Sequence, residues 1–247
     1  MKSRLLVGMM VAVMLLAAAL PVAAQDPEQD CFNKGGVWNA DEQRCIISIP
    51  VEVRIDYPLD LATAYPVVEN AVDSILAKER AAFLEPIADP EFVNYSPGPL
   101  TLDIQYETVG FSPDHLSLNL IIYTFSGGAH GMTYFETFTF DLANDVELAL
   151  DDIFLPDTAY LEVIAPMAIA ALTEQLGDMT DPDWVEMGAG PFPENYVNWM
   201  LTPDALVFIF EPYQVAAYAA GPQTVTIPLT ELQDILAPEF SPATVAQ

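Results

Sequence analysis

A chain of 247 residues, 52% of them hydrophobic, can bury the core of one domain of about 200 residues or of two smaller ones, and this composition excludes an intrinsically disordered protein. Only 7 Lys and Arg stand against 36 Asp and Glu, a formal charge of −29 at pH 7, although charged residues make up just 17% of the chain. The imbalance is a shortage of bases rather than an acidic tail, so neither nucleic acid nor an anionic membrane surface is an expected partner; the acidity serves solubility or a salty exterior, or it attracts a basic partner.

Residues 1–24 read as a secretory signal peptide. Lys2 and Arg4 begin it, an uncharged apolar run from Leu5 to Leu20 follows, and Val22-Ala23-Ala24 supplies small residues for cleavage. The run is short for a membrane span, so no stable span is expected after cleavage, with a retained anchor as the alternative. The expected location is secreted or periplasmic. In an oxidising compartment the two cysteines, Cys31 and Cys45, are expected to pair, closing a loop of about 15 residues and contributing ~3 kcal/mol in the chain-entropy model. Residues 25–49 then form a small stapled appendage, in which Trp38 either covers the staple or marks a contact surface.

Residues 50–110 read as strand, helix, strand. Val51, Val53, Ile55 and Tyr57 alternate with Glu52, Arg54 and Asp56, the pattern of a half-buried strand ended by Pro58. Val68, Val72, Ile75, Leu76 and Phe83 fall at helical spacing and predict a helix over 66–85. Prolines 86, 90, 97 and 99 mark a loop that contains the sequon Asn94-Tyr95-Ser96, and residues 101–107 alternate again as a strand.

Residues 111–238 form the second half. Leu116, Leu118, Leu120 and Ile122 share one face of a strand; Ser117, Asn119, Ile121 and Tyr123 occupy the other. Met132 to Phe140 is a strand rich in Thr, Phe and Tyr, so the pair reads as an antiparallel hairpin. A helix capped by Asp157 and interrupted at Pro166 is expected next, then a loop over 177–193. Strands follow at 206–210 and 224–229, and Thr230-x-x-Gln233 suggests a capping box. Residues 239–247 read as a frayed tail. The fold class is α+β, an antiparallel sheet backed by helices.

The hairpin loop, Ser126-Gly127-Gly128-Ala129-His130-Gly131, is the strongest local signal. Its three glycines permit positive φ or close backbone approach. His130 has only His115 as a histidine companion, no HExxH pattern exists, and Ser126 is not in a Gly-x-Ser-x-Gly elbow, so neither a metal site nor a nucleophilic triad is indicated. The acidic turns at 141–147 and 178–186 lack the spacing of a calcium loop. No cofactor is expected. A second loop, Glu211 to Gly221, carries Pro212, Tyr213 and Tyr218; its tyrosines either contact a partner or pack as a lid on the core.

Four stretches together carry a family resemblance. They are Ile55-Asp56-Tyr57-Pro58 with Asn70; Ser126 to Gly131 with Phe140-Asp141-Leu142 and Leu148-x-Leu150-x-Asp152-Ile153-Phe154; Leu201-Thr202 with Leu206-Val207-Phe208; and Pro212-Tyr213-x-Val215-Ala216-x-Tyr218-Ala219-x-Gly221 running into Val225-x-Ile227-Pro228. From Val51 to Leu236 the chain resembles the extracytoplasmic, RsiV-like module shared by a lysozyme-sensing anti-sigma factor and the non-catalytic front part of a peptidoglycan deacetylase. The resemblance implies an α+β fold and a binding role at the cell envelope, with a lysozyme-type muramidase or peptidoglycan as partner. No sigma-binding segment and no deacetylase domain are seen, so those activities are not expected to carry over. The expectation is a non-catalytic module that binds through Ser126, Gly127, Gly128, His130, Gly131, Pro212, Tyr213 and Tyr218; the alternative is an envelope hydrolase using His130 with a carboxylate.

Overall fold

The structure, a computed structural model, describes residues 26–33, 37–46, 50–87 and 99–241. The expected signal peptide, the sequon and the last six residues lie outside that set. Two compact units divide the chain, Met1–Ser48 and Ile49–Gln247.

In the first unit a short helix, α1 (Pro27–Asn33), joins a hairpin of β1 (Val37–Asn39) and β2 (Arg44–Ile46). Cys31 and Cys45 are disulfide-bonded, with their Cα atoms 5.4 Å apart. The Asn39 side chain accepts from Asp41 N and Glu42 N and holds the hairpin turn.

The second unit is built on a five-stranded sheet in the order β3 (Val51–Ile55), β4 (Leu100–Gly110), β5 (His115–Phe125), β6 (Met132–Asp141) and β7 (Val146–Leu148). All neighbours are antiparallel except β3 and β4, which run parallel because helices intervene. Those helices are α2 (Leu59–Ala64), which the sequence pattern did not announce, and α3 (Pro66–Ile87). Val68, Val72 and Phe83 of α3 lie on Leu100, Leu102, Ile104, Leu118, Leu120, Ile122 and Phe140, all buried. Periodicities of 3.6 and 2 thus meet in one apolar layer. The expected half-burial of β3 fails: Val51 and Val53 are 43% and 44% exposed, because β3 is the sheet's outermost strand.

The opposite face of the sheet is polar yet buried. Ser117, Asn119 and Thr139 are at most 3% exposed. They are covered by a second, three-stranded sheet, ordered β8 (Trp199–Leu201), β9 (Ala205–Phe210) and β10 (Gln223–Pro228). Strand β8 pairs with β9 on one side only. On its other side Trp199 N donates to Thr137 Oγ1 at 2.8 Å and Leu201 N donates to Ser117 Oγ at 2.9 Å. Ser117 and Thr139 also bond to each other at 2.8 Å. A strand edge that would otherwise bury unpaired N–H groups is therefore satisfied by hydroxyls on a sheet face. Asn119 Oδ1, on the same face, is buried with no hydrogen-bond partner among the described residues.

Helices α4 (Tyr160–Leu176) and α5 (Pro182–Ala189) and the short α6 (Leu229–Leu232) complete the second core, around Ile164, Leu172, Val185, Tyr196, Phe208, Phe210 and Leu232. Several expectations are corrected here. Asp157 sits at φ 62° and does not cap α4, which runs through Pro166. The stretch expected as loop over 177–193 contains α5, whose N-cap is Asp181, with Pro182 in the first turn. Thr230 makes no capping box; α6 starts after Pro228. The tail is not frayed at its start, since Phe240 is 2% exposed and lies against Phe111 and His115. No described helix is long and apolar enough to cross a membrane.

Ser117→Ala and Thr137→Val each leave one β8 N–H without its acceptor. An unpaired buried donor costs about 1–3 kcal/mol, so each substitution is expected to lower the unfolding free energy by that amount and the urea midpoint in proportion. Wild-type midpoints in both variants would show that these hydroxyls do not carry the docking.

Candidate functional site

The two loops singled out in the sequence meet. Strand β5 enters the first and β6 leaves it. Gly127 and Gly128 turn the chain at φ 103° and 93°, values that side-chain-bearing residues rarely adopt. Gly131 answers a different need: a Cβ there would collide with the ring of Tyr123. The second loop joins β9 to β10. Tyr218 reaches from it to the first, its Oη donating to Gly131 O at 2.8 Å and its ring stacked on His130 with centroids 4.0 Å apart. Tyr213 leans on Tyr218 at 5.6 Å. The result is an aromatic face of Tyr123, His130, Tyr213 and Tyr218, with Tyr213 47% and Tyr123 38% exposed. Ser126 lines a separate small groove with Phe83 and Tyr134. Pro212 is half-buried at the start of the second loop.

Tyr213 is held in a conformation a free tyrosine avoids. Its φ is 71°. Trp184 Nε1 of α5 donates to Tyr213 O at 3.0 Å. Next door, Gln214 Nε2 donates to Gly188 O and Asn195 O, and Gln214 Oε1 accepts from Glu211 N, all at 3.0 Å. Glu211 Oε1 accepts in turn from Phe135 N of β6 at 3.1 Å and from Asn198 Nδ2 at 3.3 Å. Gly188 has no room for a Cβ, which would fall on the Gln214 carbonyl. The loop is thus anchored to α5, to the 194–198 segment and to β6. Trp184, Gly188, Glu211 and Gln214 were not singled out from the sequence. The Asp-Pro at 181–182 was the available signal, since Asp at an N-cap before Pro opens a helix.

His130 Nδ1 bonds to Gly131 O at 2.9 Å. Among the described residues no carboxylate bonds to His130, and no group of three His, Cys, Asp or Glu side chains is placed to hold a metal. His115 is far from this role: its Nδ1 pairs with Ser112 Oγ at 3.0 Å and its ring packs on Phe240. An open cleft of about 360 Å³ is lined by Lys78, Tyr134, Glu136, Glu194, Asn198 and Glu211 among others. Lys78 Nζ bridges Glu136 at 2.9 Å and Glu79 at 3.4 Å. The Tyr134 hydroxyl donates to the buried Glu79. Burial first, then that bond and the charge of Glu79, hold the Tyr134 hydroxyl well above the usual phenol range. Burial does the same to Tyr196.

Two outcomes follow from this geometry. Gly188→Ala pushes on the Gln214 backbone and is expected to destabilise by about 1–3 kcal/mol, with a change in Tyr213 fluorescence and shifted Trp184 emission; a variant as stable as wild type would show the loop to be slack. Tyrosines kept protonated in the folded state contribute stability that is complete below their ordinary pKa of about 10 and lost as pH rises through the folded value. The urea midpoint should therefore begin to fall at about pH 10 and keep falling above it, less steeply in Tyr134→Phe. Parallel slopes would exclude Tyr134 as a contributor.

Residues 48–133 match the family model described as deacetylase PdaC, and residues 151–230 match the one described as a protein of unknown function, DUF3298. The chain is 28% identical over 205 residues to the peptidoglycan-N-acetylmuramic acid deacetylase PdaC of Bacillus subtilis, covering 81% of this chain and 44% of that protein, so it spans less than half of PdaC. It is 25% identical over 218 residues to the esterase Rv3036c of Mycobacterium tuberculosis, 84% of this chain and 88% of the esterase. It is 28% identical over 181 residues to the anti-sigma-V factor RsiV of Bacillus subtilis, 70% and 61% of the two chains. Among solved structures, a DUF3298 family protein from Pseudomonas aeruginosa shares the fold, with a TM-score of 0.54 at 21% identity over 81% of this chain and 89% of that one. A deacetylase and an esterase stand among these relatives, so the relationship does not set enzymatic activity aside. The chain carries the two-part module, a PdaC-type segment followed by a DUF3298 segment, that relates it to both PdaC and RsiV.

Proposed function

We propose that this chain is a non-catalytic binding module of the bacterial cell envelope, exported by residues 1–24, and that its aromatic face contacts a basic protein of the lysozyme type. The observation that carries this reading is Tyr213. A half-exposed aromatic side chain sits at φ 71°, its carbonyl accepting from Trp184 Nε1 and the next residue, Gln214, bonded through its side chain to Gly188 and Asn195. Backbone strain of this kind persists only where neighbours enforce it, and it gathers at ligand-contact positions. Preformed tyrosines lose little entropy on binding, which suits a contact surface. The formal charge of −29 attracts a basic partner at long range, while the face itself supplies the short-range contact.

Peptidoglycan is the second reading, favoured by the substrate in PdaC's name; aromatic faces also stack on sugar rings. A hydrolase built on His130 has less support. Its Nδ1 is engaged by the neighbouring carbonyl and its ring is stacked, with no carboxylate bonded to it among the described residues.

The test is a pull-down of lysozyme by the exported protein at low and at moderate salt. Binding is expected to survive about 0.15 M salt, where exposed charges more than ~8 Å apart are screened. Tyr213→Ala should weaken it about tenfold or more with an unchanged Tm. Tyr218→Phe keeps the ring on His130 and drops only the bond to Gly131, so a milder loss is expected. Affinity untouched in Tyr213→Ala would reject the face; binding that disappears with salt would be charge attraction alone and would turn the assay to peptidoglycan fragments.

A further inference from the structure

The outer edge of the five-stranded sheet has no strand beyond it among the described residues, and its five residues are unusual in order. Strand β3 reads Val51-Glu52-Val53-Arg54-Ile55. The hydrogen bonds that flank its pairing with β4, Leu100 N to Pro50 O and Asp56 N to Ile104 O, both 2.8 Å, show that even-numbered positions point their backbone groups at β4. The N–H and C=O groups of Val51, Val53 and Ile55 therefore point outward. In register with Leu100, Leu102 and Ile104, the side chains of Val51, Val53 and Ile55 extend the sheet's apolar face past the part that α3 covers. An edge with nearly half-exposed valines is a template for a further strand.

We infer that this edge pairs with the same edge of a second copy, antiparallel and centred on Val53, to join two five-stranded sheets into one. The charges choose the register. With Val53 opposite Val53, Val51 faces Ile55 and Glu52 faces Arg54, twice by symmetry. A slip of two residues one way sets Glu52 against Glu52; the other way it sets Arg54 against Arg54. A slip of one residue sets outward backbone groups against inward ones. Edge charges normally blunt an open strand, but in this order they complement a second copy. Arg54 is one of only 7 bases in the chain, its side chain is 69% exposed, and its ion pair with Asp103 is long at 3.7 Å, so it is available to a partner. Because two copies also repel through their overall charge, the dimer should tighten from low salt to about 0.15 M as that repulsion is screened.

Sedimentation equilibrium of the exported protein tests this. Wild type should show a monomer–dimer equilibrium at high micromolar concentration. Glu52→Arg sets arginine against arginine, and Arg54→Glu sets glutamate against glutamate; each alone should weaken the dimer roughly tenfold to a hundredfold. An equimolar mixture of those two variants restores both opposite-charge pairs and should dimerise again, as should the double swap Glu52→Arg/Arg54→Glu. The circular dichroism and Tm of each variant check the fold, and the mixture controls for loss of the Arg54–Asp103 pair. A wild type that stays monomeric, single variants that dimerise like wild type, or a mixture that fails to recover would each overturn the inference.

Discussion

Everything distinctive in this molecule rests on two N–H groups of a three-residue strand. Trp199 and Leu201 expose their amides on the unpaired side of β8, and the hydroxyls of Thr137 and Ser117 accept them. A buried donor without a partner is costly enough that the edge of one sheet can settle on the face of another only where acceptors stand at the right spacing. Thr137 and Ser117 lie on neighbouring strands, β6 and β5, so the edge crosses the sheet. That crossing brings the loop after β9 to the turn of the β5–β6 hairpin, where Tyr218 finds Gly131.

The same constraint explains what was legible in the sequence. The apolar stripe of α3 and the alternation in β4 to β6 announce themselves because one face is buried and the other is not. The face bearing Ser117 and Asn119 follows that rule in composition and breaks it in burial. Its polarity reads as solvent, and only the arrival of β8 turns it into an interface. In β3 the error runs the other way. Val51 and Val53 alternate like a half-buried strand, yet position at the rim of the sheet decides exposure, and rim position is not written in the alternation. Helix α5 was missed through a short apolar pattern, although Asp181 and Pro182 carried its start.

For the aromatic face the two loops were visible from glycine spacing and tyrosines, and the structure brings them together. Their anchors were not. Trp184, Gly188 and Gln214 act through backbone carbonyls across gaps of 19 to 29 residues, and no local pattern in a sequence encodes a side chain that bonds to a distant main chain. Gly188 is instructive: its φ is ordinary, so turn chemistry does not flag it. It is glycine because the Gln214 carbonyl takes the place of its side chain.

The bonds that make the face span long stretches of chain: 84 residues from Ser117 to Leu201, 87 from Gly131 to Tyr218 and 76 from Phe135 to Glu211. The meander of β4, β5 and β6 needs only neighbours in sequence, whereas each of those long closures must be bought with chain entropy late in folding. The aromatic face is accordingly expected to form after the meander on which it sits. It serves as a completion mark: a chain stopped or misfolded before its final strands can own the glycine hairpin and still present no tyrosine beside His130.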